Sequence, residues 1–228
     1  MKMRKYKLIE IPQIKGKYAT LGDGWSDKKI ELPRGKQLYK AATIMRAKPP
    51  HRNHIAMLEA LCQKSEYLTI NIGSANKLDS KNPFHPEETE DMLRLGLKSY
   101  DNFNIIPIPD FDDPVTGDDQ WGDYLFEKNP KFTEFICNND WVLGILQERQ
   151  YILGEKQFDI LFPDQILPQR EMIYEDGVYI SATVVRTAMA NGDKWERFLL
   201  PDIADYIKKN NLVRRVKKYA REYAKQNT

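Results

Sequence analysis

The chain has 228 residues, 41% of them hydrophobic and 30% charged. That length suits one α/β domain with an extension better than two full domains, and the apolar share is enough for a core. The 35 Lys and Arg nearly balance the 33 Asp and Glu, leaving a formal net charge of +2. No overall field draws the chain to nucleic acid or to a membrane, so any anion site must be local. Cys62 and Cys137 lie in apolar stretches and read as core packing, not as a disulfide framework. The opening segment is basic but lacks an apolar h-region, and no apolar run approaches the ~20 residues of a membrane span. The expected compartment is the cytoplasm.

Residues 1–38 read as a small N-terminal extension, polar and Lys-rich, with turn signals at Gly22-Asp23-Gly24 and Pro33-Arg34-Gly35. Residues 39–228 then form the domain. A strand begins near Lys40, runs through Ala41-Ala42-Thr43-Ile44-Met45 and stops at Pro49-Pro50, which cannot continue a ladder. Residues 51–64 read as a helix, because Ile55, Leu58 and Leu61 recur at helical spacing. A second strand, 67–72, closes at Gly73-Ser74. Strand, helix and strand in that order make a βαβ unit with parallel strands. The alternation continues: helix 86–98, strand 104–108, strand 132–137 and helix 141–149. Residues 177–180 lead into a helix over 183–191, and helices at 201–209 and 211–225 end the chain. This order predicts a doubly wound, mostly parallel sheet with helices on both faces.

In such sheets the ligand sits beyond the carboxyl ends of the strands. The loop after the first strand ends on a helix N-terminus, where free N–H groups and the dipole favour an anion. His51 and His54, three residues apart, share one face of that helix. Arg46, Lys48 and Arg52 add positive charge, and the arrangement suits a triphosphate. Two other readings stand beside this one. A metal site would need further ligands, and His85, the remaining histidine, has no acidic or Cys cluster beside it. The pair could also be incidental surface histidines.

A second strand-to-helix junction is Ile180-Ser181-Ala182-Thr183-Val184-Val185-Arg186. Ser181 and Thr183 are natural capping residues, and an ordinary N-cap with a solvated Arg is the plain reading. Taken with the histidine loop, the junction resembles the second signature, ISxT/SxxR, of the HxGH nucleotidyltransferase superfamily. From about residue 41 onward the chain is similar to the archaeal-type nicotinamide mononucleotide (NMN) adenylyltransferases. The similarity rests on the Arg46–His54 loop, Ile72-Gly73-Ser74-Ala75, Asn82-Pro83-Phe84 and the turn Asn191-Gly192-Asp193-Lys194-Trp195. Departures are visible as well. The glycine of HxGH is Asn53, the loop reads Ala47-Lys48-Pro49, and basic positions become Thr89 and Thr187.

The resemblance implies a Rossmann-like fold and transfer of AMP from ATP to NMN, giving NAD and pyrophosphate. Under it, His51, His54 and Arg186 are the catalytic set. Arg46, Lys48, Gly73, Ser74, Ser181 and Thr183 bind ATP. Lys81, Trp121, Asn138 and Asn139 face the acceptor, with Trp121 stacking on the nicotinamide. Mg²⁺ arrives on the substrate phosphates, mostly through water, so no dedicated protein metal site is expected. Trp121 could also be simple core or rim packing, and Asn138 and Asn139 could equally cap the following helix. The basic stretch 212–221 reads more simply as a solvated terminal helix than as a nucleic-acid surface. A homo-oligomer is expected. The competing functions are an adenylyl- or cytidylyltransferase with another phosphorylated acceptor, and a nucleotide-binding sensor without turnover.

Overall fold

Alternate residues of the first strand face opposite ways: Ala41 and Met45 pack into one core, Ala42 and Ile44 into another. That period of two, with both faces apolar, is what a strand buried between helical layers requires. The computed structural model describes residues 38–129, 131–152, 158–167 and 173–226. The expected extension, residues 1–38, lies outside them except for Leu38, which opens strand β1 (Leu38–Met45). After helix α1 (Arg52–Lys64) and strand β2 (Ser65–Ile72) come α2 (Pro86–Gly96), β3 (Phe103–Pro107) and α3 (Gly117–Lys128). Strand β4 (Glu134–Ile136), α4 (Asp140–Ile152), β5 (Asp159–Leu161) and α5 (Pro163–Ile166) follow. A small antiparallel hairpin, β6 (Tyr174–Glu175) and β7 (Val178–Tyr179), precedes α6 (Ala182–Asn191), α7 (Pro201–Lys209) and α8 (Leu212–Gln226).

The five main strands form a parallel sheet in the order β3-β2-β1-β4-β5. The chain builds outward from β1 to β3, then returns to pair β4 with the other edge of β1, Ala41 opposite Glu134. Reversing direction while keeping one crossover hand moves the connecting helices to the other face. The larger core, on one face, holds Leu58 of α1, Leu93 of α2, Val185 of α6, Ile203 of α7 and Val216 of α8. The second holds Trp121 and Leu125 of α3 with Val142 and Leu146 of α4. The doubly wound α/β architecture expected from the sequence is therefore the one observed, and its topological switch point lies at the carboxyl ends of β1 and β4.

Helix α3 is absent from the sequence reading. Its approach is rich in Asp, Pro and Gly, which reads as loop. Those residues build its start: the Asp113 carboxylate accepts from the N–H groups of Val115 and Thr116, both at 2.8 Å. The helix then holds by packing on α4. A Cβ on Gly122 would lie 2.9 Å from Ile145 Cγ2, so only glycine permits that approach. Strand β5 is three residues long, too short to show a period.

Candidate active site

Beyond Met45 the backbone turns at Ala47, φ 46°, and carries Lys48 inward until it is fully buried. The Lys48 ammonium donates to the Ser74 carbonyl at 2.8 Å, tying the loop after β1 to the loop after β2. Burial pushes the Lys48 pKa down to about 8, although Asp79 and Asp110 pull it up. His51 precedes the first turn of α1 and stacks on His54, ring centroids 3.7 Å apart at 25°. The His51 N–H points at His54 Nδ1, 3.5 Å away, which leaves the His54 proton on Nε2. His51 Nδ1 is buried with no hydrogen-bond partner among the described residues. Burial drives the pKa of both rings down, His54 to about 4 and His51 further, the latter also through His54 and Arg186. Both imidazoles are therefore neutral near pH 7.

Asn53, where the family pattern has glycine, is buried and fully used. Its amide donates to the carbonyls of Ile173 and Ile180 at 3.1 and 3.0 Å. Its oxygen accepts from the Ile173 N–H at 2.6 Å. The first signature thus holds both ends of the β6–β7 hairpin, which delivers the chain to the second. There Ser181 is the N-cap of α6, its hydroxyl accepting from the Val184 N–H at 3.3 Å. Arg186, one turn on, donates to the Lys48 carbonyl at 2.9 Å and to Thr183 Oγ1 at 3.2 Å. Residues far apart in sequence are bonded here directly.

Lys48, His54, Thr183 and Arg186 line a cleft of about 630 Å³, within the range of small-molecule sites, whereas His51 and Ser181 stand behind its lining residues. The β1 loop supplies Arg46, Ala47 and Lys48, and α1 supplies His54. Ala182, Thr183, Arg186, Thr187 and Ala190 come from α6, Ser80 and Lys81 from the loop before α2. Val216, Ala220 and Tyr223 of α8 close the remaining side. Arg46, Lys48, Lys81 and Arg186 thus bring four basic side chains to one cavity. Among the described residues, no group of three or more His, Cys, Asp or Glu is placed to hold a metal ion.

Not every expected site residue is in the cleft. The Gly73 N–H is bonded to the Met45 carbonyl at 3.1 Å, and the Ser74 hydroxyl to Asp110 at 3.2 Å; both brace the loops behind the cleft wall. Trp121 does not line it. That indole is 2% exposed and packs against Trp141, centroids 4.6 Å apart. Asn139 caps α4, its side-chain oxygen accepting from the Val142 N–H at 3.1 Å, while Asn138 is exposed beside it. The sequence reading missed Ser80, Thr187 and the whole α8 wall. The signal for the wall was present: Val216, Ala220 and Tyr223 recur at spacings of four and three, one helix face.

No protein-family model matches the chain. It is 29% identical over 183 residues to the nicotinamide-nucleotide adenylyltransferase of Pyrococcus furiosus, covering 78% of this chain and 87% of that one. The corresponding protein of Methanoculleus marisnigri is 28% identical over 179 residues, covering 78% and 95%. Among solved structures, a bifunctional NMN adenylyltransferase/ADP ribose pyrophosphatase from Francisella tularensis superposes with a TM-score of 0.59 at 20% identity, over 83% of this chain. This chain spans 56% of that longer protein, and the likeness supports the fold. The chain is thus similar to archaeal-type NMN adenylyltransferases, nucleotidyltransferases that match it at about 28% identity over 78% of its length.

Proposed function

We propose that this protein transfers the adenylyl group of ATP to NMN, forming NAD and pyrophosphate. The observation that carries the reading is the Arg186–Lys48 bond of 2.9 Å, which joins the two signature segments in one cationic cleft at the sheet's switch point. The named activity of the archaeal relatives supplies the choice of substrates. The acceptor phosphate is already an anion, so it attacks the α-phosphorus without a general base. The bond from that phosphorus to the β-phosphate oxygen breaks, and pyrophosphate leaves. Catalysis is then positioning and charge stabilisation. Neutral His54 offers an Nε2–H to a phosphate oxygen, and Arg186 with Lys48 takes the charge that develops on the leaving pyrophosphate.

Mg²⁺ enters with ATP as part of the substrate. A relative of the same fold, from Francisella tularensis, has been solved with AMP and a manganese ion, which supports a divalent partner for the nucleotide. Lys81, on the cleft wall, would meet the acceptor phosphate. Trp121 offers no open face at 2% exposure, so an acceptor ring at the carboxyl end of β4 would meet Trp141, 40% exposed, which packs on it. The cytoplasmic setting expected from the sequence belongs to this proposal. The test is a panel of phosphorylated acceptors with ATP and Mg²⁺. NMN should give the highest kcat/KM; a clear preference for an acceptor without a pyridine ring would overturn the choice of NMN.

A further inference from the structure

The cleft is longer than its cationic part. Ala182 and Ala190, the lining residues of α6 farthest apart in sequence, are eight residues apart, about 12 Å along the axis at 1.5 Å per residue. Arg186 lies between them, held by the Lys48 carbonyl. Helix α8, which packs against α6, supplies another part of the lining, where the surface changes character. Val216 is buried, Ala220 half-buried, and Tyr223 is 53% exposed. This wall is anchored: Arg215 of α8 makes a two-pronged pair with Glu88 at 2.5 and 2.9 Å and also donates to the Pro83 carbonyl at 3.3 Å. A cavity with cations along one side and an aromatic, aliphatic surface along another suits a molecule with an anionic chain and a flat ring. Phosphates seek the cations, and a heteroaromatic base gains by lying on an aromatic face.

We propose that Tyr223, which lines the cleft with Val216 and Ala220, is a specificity-determining residue that receives the base of the nucleoside triphosphate whose phosphates lie on Arg186 and near Lys48. The inference rests on the reading of this cleft as the nucleotide site. It gives the terminal helix a direct part in substrate selection. Because an aromatic face accepts any base, Tyr223 favours nucleotides over bare polyphosphates and discriminates weakly among bases.

Two ligands separate ring from phosphates: ATP, and inorganic tripolyphosphate, which has the charge and no base. Binding of each to the full chain is measured by calorimetry for wild type, Tyr223→Ala and Tyr223→Phe. Tyr223→Ala should weaken ATP about five- to tenfold, the lower range of one lost base stack, and leave tripolyphosphate unchanged. Tyr223→Phe, which keeps the ring, should bind ATP as wild type does. The proposal is overturned if Tyr223→Ala binds ATP normally or if it weakens both ligands equally. Wild-type protein that binds neither ligand would instead overturn the nucleotide reading of the cleft, and this inference with it.

Discussion

Arg186 reaches the Lys48 carbonyl at 2.9 Å, and so fixes its guanidinium beside the histidine pair. Its forked donors suit the two outer phosphates of a triphosphate more than a single one. Arg186→Ala should therefore weaken ATP more than AMP in calorimetry; equal losses would place it away from the outer phosphates. His51→Ala and His54→Ala should each fold and lower turnover about 10²–10³-fold, the usual effect of losing one preorganised stabilising group. Near-wild-type rates in both would remove the histidines from the mechanism. Lys48 supplies a pH signature. Burial holds its pKa at about 8, so affinity of the free protein for tripolyphosphate should fall as pH rises through that value. A flat profile between pH 7 and 9 would contradict it. At this scale the sequence could name Lys48, His54, Thr183 and Arg186, which the fold brings to one cleft, because they belong to two short motifs. Trp121 was not: an indole suited to stacking looks the same in sequence whether it lines a cleft or, at 2% exposure, fills a core.

Helices α1 and α6 meet through Asn53 and the β6–β7 hairpin. Asn53→Ala, or the glycine of the family pattern, removes three hydrogen bonds and strands buried backbone groups, a loss of about 1–3 kcal/mol. Urea unfolding should show it, and unchanged stability would mean that water replaces those bonds. Trp121→Ala should cost about 3–5 kcal/mol, as large core truncations do; stability equal to wild type would contradict its place in the core. The sequence revealed β1 to β4, α1, α2, α4 and α6 to α8, whose apolar patterns or flanking turn signals stand out, and missed α3, β5, α5 and β6. The exact role of α3 was hidden because its N-terminal turn uses the Asp and Gly residues that otherwise mark loops. The cleft-facing side of α8 was hidden because its charged face dominates a linear reading, while Tyr223 matters only through what lies opposite it.

At the scale of the molecule, the sheet's reversal of direction at β1 and β4 creates the crevice, and α6 and α8 wall it. The architecture was legible because alternating strands and helices leave few topologies; the contents of the crevice depend on contacts between distant segments, which no local pattern records. Burying neutral imidazoles also links the whole fold to pH. The folded pKa of His54 is about 4, below the ordinary 6.5, so below pH 6.5 the unfolded chain binds more protons than the folded one. Stability should be fully present above that pH and fall on acidification toward 4; His54→Gln should flatten the decline seen by thermal unfolding. The central claim is nucleotidyl transfer, and it is tested most directly with ATP labelled at the α-phosphate. Incubated with the protein, Mg²⁺ and NMN, the label should pass into NAD with one pyrophosphate released per NAD formed, and His54→Ala should slow both together. Well-folded protein that binds ATP yet moves no α-label to NMN or to any phosphorylated acceptor would contradict the account.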